Sequence, residues 1–377
     1  MTQPPGPRLA RAKLPVALAC ARAGVVLAVC ALITLSAASA RGVSIRHDGS
    51  SVSRGRARRD VRALTDVSAV GRASSAGGGG LSLIVEPDQG LSEIDREIAT
   101  AERSVEVTMY ELDDTTVEQE LVADKRRGVR VRVLLNGGYY GGGFSENDDA
   151  TRYLRANGVA VRTSSASFAL THQKTITIDD RTSLVMTLNL TSRYYATSRD
   201  FAVVDTKTAD VAAIEQVFDA DWSHTSISPS AGSGDLVWSP GAESEQIALI
   251  DSARSTLDVE NEEMADSAIT SALCNVARRR VQVRVVMTDE DSWREAFDAL
   301  AACGVQVRTY AADAPLYIHA KEILVDGREA FVGSQNFSWT SLQDNRELGI
   351  VTFARVIVSR LGQTFASDFR GASPFGA

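Results

Sequence analysis

Tyr317-Ile318-His319-Ala320-Lys321-Glu322-Ile323-Leu324-Val325-Asp326 sets a histidine, a lysine and an aspartate in an H-x-K-x4-D spacing, with an apolar run between the lysine and the aspartate. Ile, Leu and Val bounded by Asp326-Gly327 read as a short buried strand. Alternate side chains of a strand share a face, so His319 and Lys321 are expected to point the same way. An imidazole and an ammonium side by side in a buried setting are costly unless something anionic lies against them. Phosphate is the obvious candidate. Working outward, 331–337 reads as the return strand of a hairpin turned at Asp326-Gly327 and ends in Ser334 and Asn336. Glu347 then precedes another apolar strand at 348–353.

The pattern occurs twice. Upstream stand His172, Lys174, Asp179, Thr187, Asn189 and Asp200. Counted from each histidine, the lysine comes at +2, the aspartate at +7, a hydroxyl at +15, an asparagine at +17 and an acid at +28. The chain has four histidines (His47, His172, His224, His319), and two of them head these copies. A lone H-x-K-x4-D is a weak signal, more often a surface histidine with an incidental lysine. Six positions agreeing twice in spacing and chemistry leave that reading little room.

The elements around the motifs repeat as well. The stretch 236–240 mirrors 83–87, 255–260 mirrors 104–109, 279–287 mirrors 127–135 and 303–308 mirrors 157–162, at offsets of 146 to 153 residues. A nearly constant offset over half the chain is a duplicated domain rather than a short-period array. Strands alternating with helices imply a largely parallel α/β sheet in each half. Each half supplies one histidine and one lysine, so the halves must meet with pseudo-twofold symmetry and the active site at their seam.

With these residues the sequence resembles the phospholipase D superfamily, in the secreted bacterial form that carries both "HKD" motifs on one chain. The resemblance runs from Leu81 to the C-terminus. It implies two α/β lobes packed side by side, a first lobe at 81–230 and a second at 231–377.

The constellation suits phosphodiester chemistry without a metal or other cofactor. Lys174 and Lys321 can neutralise non-bridging oxygens. Asn189, Asn336, Thr187 and Ser334 can donate hydrogen bonds to the phosphate, giving electrostatic preorganisation. One histidine must be neutral to attack phosphorus and form a phosphohistidine. The other must be protonated to serve the leaving group, then act as base on the incoming water or alcohol. Asp200 and Glu347 are each expected to bind the distal nitrogen of the histidine in their own half and fix its tautomer. The resemblance gives the nucleophile's role to His172 and the acid/base role to His319. Asp179 and Asp326 close their motifs at turn positions, where structural and catalytic roles compete. Two departures stand out: Met186-Thr187 replaces the small pair seen as Gly333-Ser334, and Asp200 stands where glutamate is common.

Ahead of the body, Arg8, Arg11, Lys13 and Arg22 precede an apolar stretch at 24–38 and Ala38-Ser39-Ala40. That order predicts a secretory signal peptide at 1–40 and hence an extracellular enzyme. The Arg/Ser/Gly-rich stretch 41–80 reads as a disordered linker. From Leu81 onward 45 acidic residues face 28 basic ones, a formal charge of −17. So acidic a body is a poor non-specific binder of nucleic acid. The glycine-rich loop 136–144, with Tyr139, Tyr140 and Phe144, suits a lipid interface or lid as well as an ordinary flexible loop. Trp339 fits a core position. Together these favour a monomeric, peripheral enzyme acting on phospholipid at a membrane surface. Nucleic-acid cleavage and phosphatidyl transfer are the alternatives. Cys274 and Cys303 remain after the leader. Export favours a disulfide between them, and two separately buried thiols are the competing arrangement.

Overall fold

The computed structural model describes residues 80–376. The expected leader, and all of the expected linker but Gly80, lie outside them. The first half runs β1 (Leu81–Glu86), α1 (Ser92–Ala99), β2 (Ser104–Met109), α2 (Thr115–Arg126), β3 (Arg130–Leu135), α3 (Asp148–Ala156), β4 (Ala160–Thr163), β5 (Thr175–Ile178), β6 (Thr182–Met186), β7 (Ser198–Asp205) and α4 (Thr208–Trp222). The second half runs β8 (Leu236–Ser239), α5 (Ala242–Ser252), β9 (Thr256–Glu260), α6 (Ser267–Arg278), β10 (Gln282–Asp289), α7 (Arg294–Ala302), β11 (Gln306–Ala311), β12 (Tyr317–Ile318), β13 (Glu322–Val325), β14 (Glu329–Gly333), β15 (Glu347–Thr352), α8 (Arg355–Gly371) and β16 (Ser373–Pro374).

Strand order is the same in both sheets: β1-β7-β6-β5-β2-β3-β4 in the first and β8-β15-β14-β13-β9-β10-β11 in the second, with β16 added at the far edge. The duplication is therefore structural. The expectation of largely parallel sheets is corrected. Within each lobe only β2-β3-β4 and β9-β10-β11 are parallel and the remaining pairs are antiparallel, while β12 pairs in parallel with β7 of the other lobe. Helical crossovers join the first group. The motif strands are joined by short turns, which can only connect antiparallel neighbours.

Equivalent details fix the repeat locally. Asp114 and Asp266 each cap a helix, accepting backbone N–H bonds from Thr116 and Val117 and from Ala268 and Ile269. Such caps are worth about 1 kcal/mol each. Met186, at the position equivalent to Gly333, points into the core of the first lobe rather than toward the site. Gly333 lies against Gly349 on the neighbouring strand, where an added Cβ would approach the Gly349 Cα to 2.4 Å.

The two sheets share one core at the seam. Val185, Phe201 and Val203 of the first lobe pack in one cluster with Leu324, Val332, Leu348 and Ile350 of the second. Two buried ion pairs tie the lobes reciprocally. Arg199 grips Asp368 on α8 at 2.5 and 3.0 Å, and Arg346 grips Asp221 on α4 at 2.8 and 3.0 Å. Each arginine reaches into the opposite lobe, as an isologous interface between two copies would. Cys274, within α6, and Cys303, just after α7, are bridged, with Cα atoms 5.4 Å apart and a sequence separation of 29 residues. A loop of that size gives a stabilisation of about 3–4 kcal/mol.

Candidate active site

Both H-x-K stretches sit at the seam, each immediately before a strand rather than within it. The expected continuous strand through His319 is interrupted: β12 ends at Ile318 and β13 begins at Glu322. Each lysine folds back, with Lys174 Nζ donating to the His172 carbonyl at 2.8 Å and Lys321 Nζ to the His319 carbonyl at 2.5 Å.

The acids are exchanged between lobes, which corrects the expected pairing within each half. His172 Nδ1 donates to Glu347 Oε2 at 2.9 Å, and His319 Nδ1 to Asp200 Oδ1 at 2.7 Å. The backbone explains it. β12 runs parallel to β7 with Ile318 opposite Arg199, which sets the next residue, His319, beside Asp200. A bridge between Thr171 and Arg346 sets His172 beside Glu347 in the same way. The arginines that clamp the lobes and the acids that orient the histidines are thus consecutive residues.

Each acid is held from behind. Ser341 Oγ and Asn345 Nδ2 donate to Glu347 Oε1 at 2.6 and 3.0 Å. Thr187 Oγ1 donates to Asp200 Oδ1 at 2.5 Å and accepts the Phe201 N–H. Ser334 Oγ accepts the Leu348 N–H at 3.1 Å and donates to the Leu348 carbonyl at 3.3 Å. Thr187 and Ser334 are fully buried. Their expected role as phosphate contacts is therefore corrected: their hydrogen bonds are spent on the protein, one on an acid and one on the strand that carries the other.

Asp179 and Asp326 are structural anchors. Asp179 accepts backbone N–H bonds from Glu102, Arg103 and Ser104, and Asp326 accepts them from Arg254, Ser255 and Thr256. Both stand in the left-handed region, with φ of 57° and 52°. This backbone bonding offsets burial and holds both carboxyls below the usual range, Asp326 at about 2.

The side chains facing the cleft form two unlike halves. In the first, the Tyr110 ring lies edge-on to His172 at 4.8 Å, with Lys174 Nζ 5.3 Å from the ring centre. Phe144, from the glycine-rich loop, packs on Tyr110 at 5.0 Å. Asn189 is half-buried. In the second half, Glu262 Oε2 receives Lys321 Nζ at 2.9 Å and Asn336 Nδ2 at 3.1 Å, and lies 3.5 Å from His319 Nε2. Glu262 went unnoticed in the sequence because it follows β9 outside both motifs.

Burial pushes the His172 imidazole below its ordinary pKa, partly opposed by Glu347. Burial likewise brings Lys174 down to about 7, with Lys321 adding to the effect. Burial would raise Glu262, but Lys321 and then His319 outweigh it and hold the carboxyl well below its usual range. The histidines are therefore inequivalent. His172 favours the neutral form a nucleophile needs, whereas His319 faces two carboxylates, Asp200 and Glu262.

The loop aromatics Tyr139 and Tyr140 are exposed. Trp339, expected in the core, is 59% exposed. It follows Ser338 on the segment leading from the second motif into a wide helical turn, Thr340–Asp344, whose polar residues support Glu347. Among the described residues no cluster of His, Cys, Asp or Glu could hold a metal ion, and no helix is long and apolar enough to cross a membrane.

Residues 94–222 and 246–369 match the family model described as "Cardiolipin synthase, PLD-like domain". The chain is 24% identical over 339 residues to a cardiolipin synthase of Geobacillus kaustophilus, covering 78% of this chain and 66% of that one. It is 32% identical over 126 residues to a mitochondrial cardiolipin hydrolase of Danio rerio, covering 33% of this chain and 55% of that one. The chain thus spans less than two thirds of either relative. Among solved structures, a phosphatidylserine synthase of Haemophilus influenzae Rd KW20 matches with a TM-score of 0.61 at 12% identity, over 79% of this chain and 89% of that one. A polyphosphate kinase of Porphyromonas gingivalis matches with a TM-score of 0.59 at 14% identity, over 77% of this chain and 47% of that one. These two likenesses concern the fold alone.

Proposed function

The chain belongs to the phospholipase D superfamily, and from that premise we propose that it is a phosphodiesterase that cleaves phospholipids through a covalent phosphohistidine. The observation that carries this is the crossed arrangement, in which each histidine is oriented through Nδ1 by a carboxylate of the opposite lobe.

His172 Nε2 attacks phosphorus. As the N–P bond forms, the bond to the alcohol oxygen breaks, and His319 Nε2 gives that oxygen its proton. In the second step His319 takes a proton from water or an acceptor alcohol, the new O–P bond forms and the P–N bond to His172 breaks. Lys174 and Asn189 stabilise the charge on the phosphoryl oxygens, while Lys321 and Asn336 face the cleft from the second half and hold Glu262 there. Glu347 and Asp200 hold the tautomers and stabilise each imidazolium as it forms. Water as acceptor gives hydrolysis, and an alcohol gives phosphatidyl transfer. One chain suffices, since both half-sites lie on it.

A lipid substrate is supported by the acidic body and by exposed Tyr139, Tyr140 and Trp339 on segments that lead from the site, as amphipathic aromatics suit a lipid surface. The Cys274–Cys303 bridge supports action outside the cytosol, in keeping with the predicted leader.

A panel of phosphatidylcholine, phosphatidylethanolamine, bis-p-nitrophenyl phosphate and plasmid DNA, assayed with and without chelator, tests the reading. Turnover of the phospholipids that survives chelation is expected. Cleavage of DNA with no lipid turnover would overturn it.

A further inference from the structure

Resting on the phosphodiesterase reading above, we propose that Glu262 is the specificity residue of the leaving-group side, a carboxylate that reads the ammonium of an amino-alcohol headgroup or acceptor beside His319.

The two halves differ at this position. Counting back from the matching helix caps Asp114 and Asp266, Glu262 is the counterpart of Tyr110. Parallel bridges from Leu112 to Leu190 and from Met264 to Phe337 confirm the register. In the first half an aromatic face covers Lys174, which meets no carboxylate at ion-pair distance among the described residues. In the second half a carboxylate oxygen takes the place where Lys321, Asn336 and His319 converge. A phosphoryl oxygen would make the same contacts.

An entering diester and an ionised Glu262 cannot share those donors. The phosphoryl oxygens are therefore best served by Lys174 and Asn189, on the side from which His172 attacks. In-line displacement then sends the alcohol oxygen toward His319 Nε2, which lies 3.5 Å from Glu262 Oε2. Whatever the alcohol carries on its next two carbons passes along this carboxylate. The side chain is 23% exposed, so it is reachable from the cleft. Its other oxygen is steadied by the Tyr317 hydroxyl at 3.3 Å. An ammonium two carbons from the ester oxygen would complement this charge, a polyol would gain less, and an anionic headgroup would be repelled. The incoming acceptor approaches the same face of His319 in the second step and meets the same carboxylate.

The test compares the wild-type chain with Glu262→Gln, which keeps the shape, and Glu262→Ala, which removes it, after thermal melts confirm that both fold. Each is assayed for kcat/KM on phosphatidylethanolamine and phosphatidylglycerol vesicles, on soluble glycerophosphoethanolamine and glycerophosphoglycerol, and for inhibition by inorganic phosphate. Both variants should lose the ethanolamine-over-glycerol preference by on the order of tenfold, the size of one hydrogen bond to a charged group. Inorganic phosphate should bind them more tightly. A preference unchanged within about twofold in both variants would overturn the proposal and leave Glu262 as a support for Lys321. Failure of the lipid reading looks different: neither vesicle would be cleaved, while the ratio on the soluble diesters would still decide the role of Glu262.

Discussion

His172 Nδ1 donates to Glu347 Oε2 at 2.9 Å, although 175 residues separate them in the chain. The tautomer of the first histidine is therefore set by the second lobe, and the His319–Asp200 bond returns the relationship at 2.7 Å. Neither half supplies the carboxylate that meets Nδ1 of its own histidine, so the active site is a property of the seam.

The crossing makes the two acid variants separable. Glu347→Gln should impair His172 as nucleophile and abolish the burst of p-nitrophenol from bis-p-nitrophenyl phosphate. Asp200→Asn should act on His319 and slow turnover while preserving the burst, because p-nitrophenolate leaves without a proton. Each should lower kcat by about two to four orders of magnitude. Stopped-flow traces decide it, and the opposite assignment of burst and turnover would mean that His319, held by Asp200, is the nucleophile.

His172→Ala should give no phosphoenzyme, and His319→Ala should accumulate it from an activated ester. His224→Ala should be nearly silent, since His224 is exposed and its Nε2 meets the Thr163 carbonyl at 2.9 Å, away from both motifs. Acid-labile label appearing on His319 in the His172→Ala protein would reverse the roles.

Much of this was legible because duplication writes the same information twice. The lysine, aspartate, hydroxyl, asparagine and acid positions repeat at fixed distances from His172 and His319, which revealed both the lobes and the site. Two further repeats were equally available: arginine at +27 (Arg199, Arg346) and aspartate at +49 (Asp221, Asp368). They went unread because their meaning lies in contacts between lobes, as does the crossing of Asp200 and Glu347. A repeat compares equivalent positions but does not say which copy a side chain faces. Glu262 was hidden for the opposite reason. It breaks the repeat, with Tyr110 as its counterpart, so a search for agreement passes over it. Thr187 and Ser334 were legible as hydroxyls but not in direction, since a strand residue at the seam can face the cleft or the packed interior.

The depressed Lys174 ammonium predicts a pH limb. As a cation it is charged below its pKa, so its contribution to binding the diester is present at lower pH and lost as pH rises through about 7. His172, lowered by burial, loses its proton below its usual 6.5, which keeps the nucleophile available on the acidic side. The kcat/KM profile, which reports the free enzyme, should therefore fall on the alkaline side from about pH 7. Lys174→Arg keeps the charge at any accessible pH and should move that limb upward, even with a lower maximum. A limb left in place would belong to another group.

The Arg346–Asp221 clamp predicts a stability pattern that a surface ion pair would not give. Both side chains are buried, the guanidinium meets the carboxylate through two bonds at 2.8 and 3.0 Å, and the Arg346 Cζ lies 4.2 Å from the Phe168 ring centre. Removing one partner leaves a buried charge uncompensated, so Asp221→Asn or Arg346→Met alone should cost about 3–5 kcal/mol. Replacing both by apolar residues of similar volume, Arg346→Met with Asp221→Leu, should cost less than the sum of the single changes, because no unpaired charge remains. Activity should follow a different course. The Arg346 carbonyl accepts the His172 N–H at 3.0 Å, so a change in this segment reaches the nucleophile's backbone even where stability recovers. Denaturant melts of the two single variants and the double, read beside their burst amplitudes, separate the effects. Strictly additive losses of stability would show that the pair contributes no coupling across the seam.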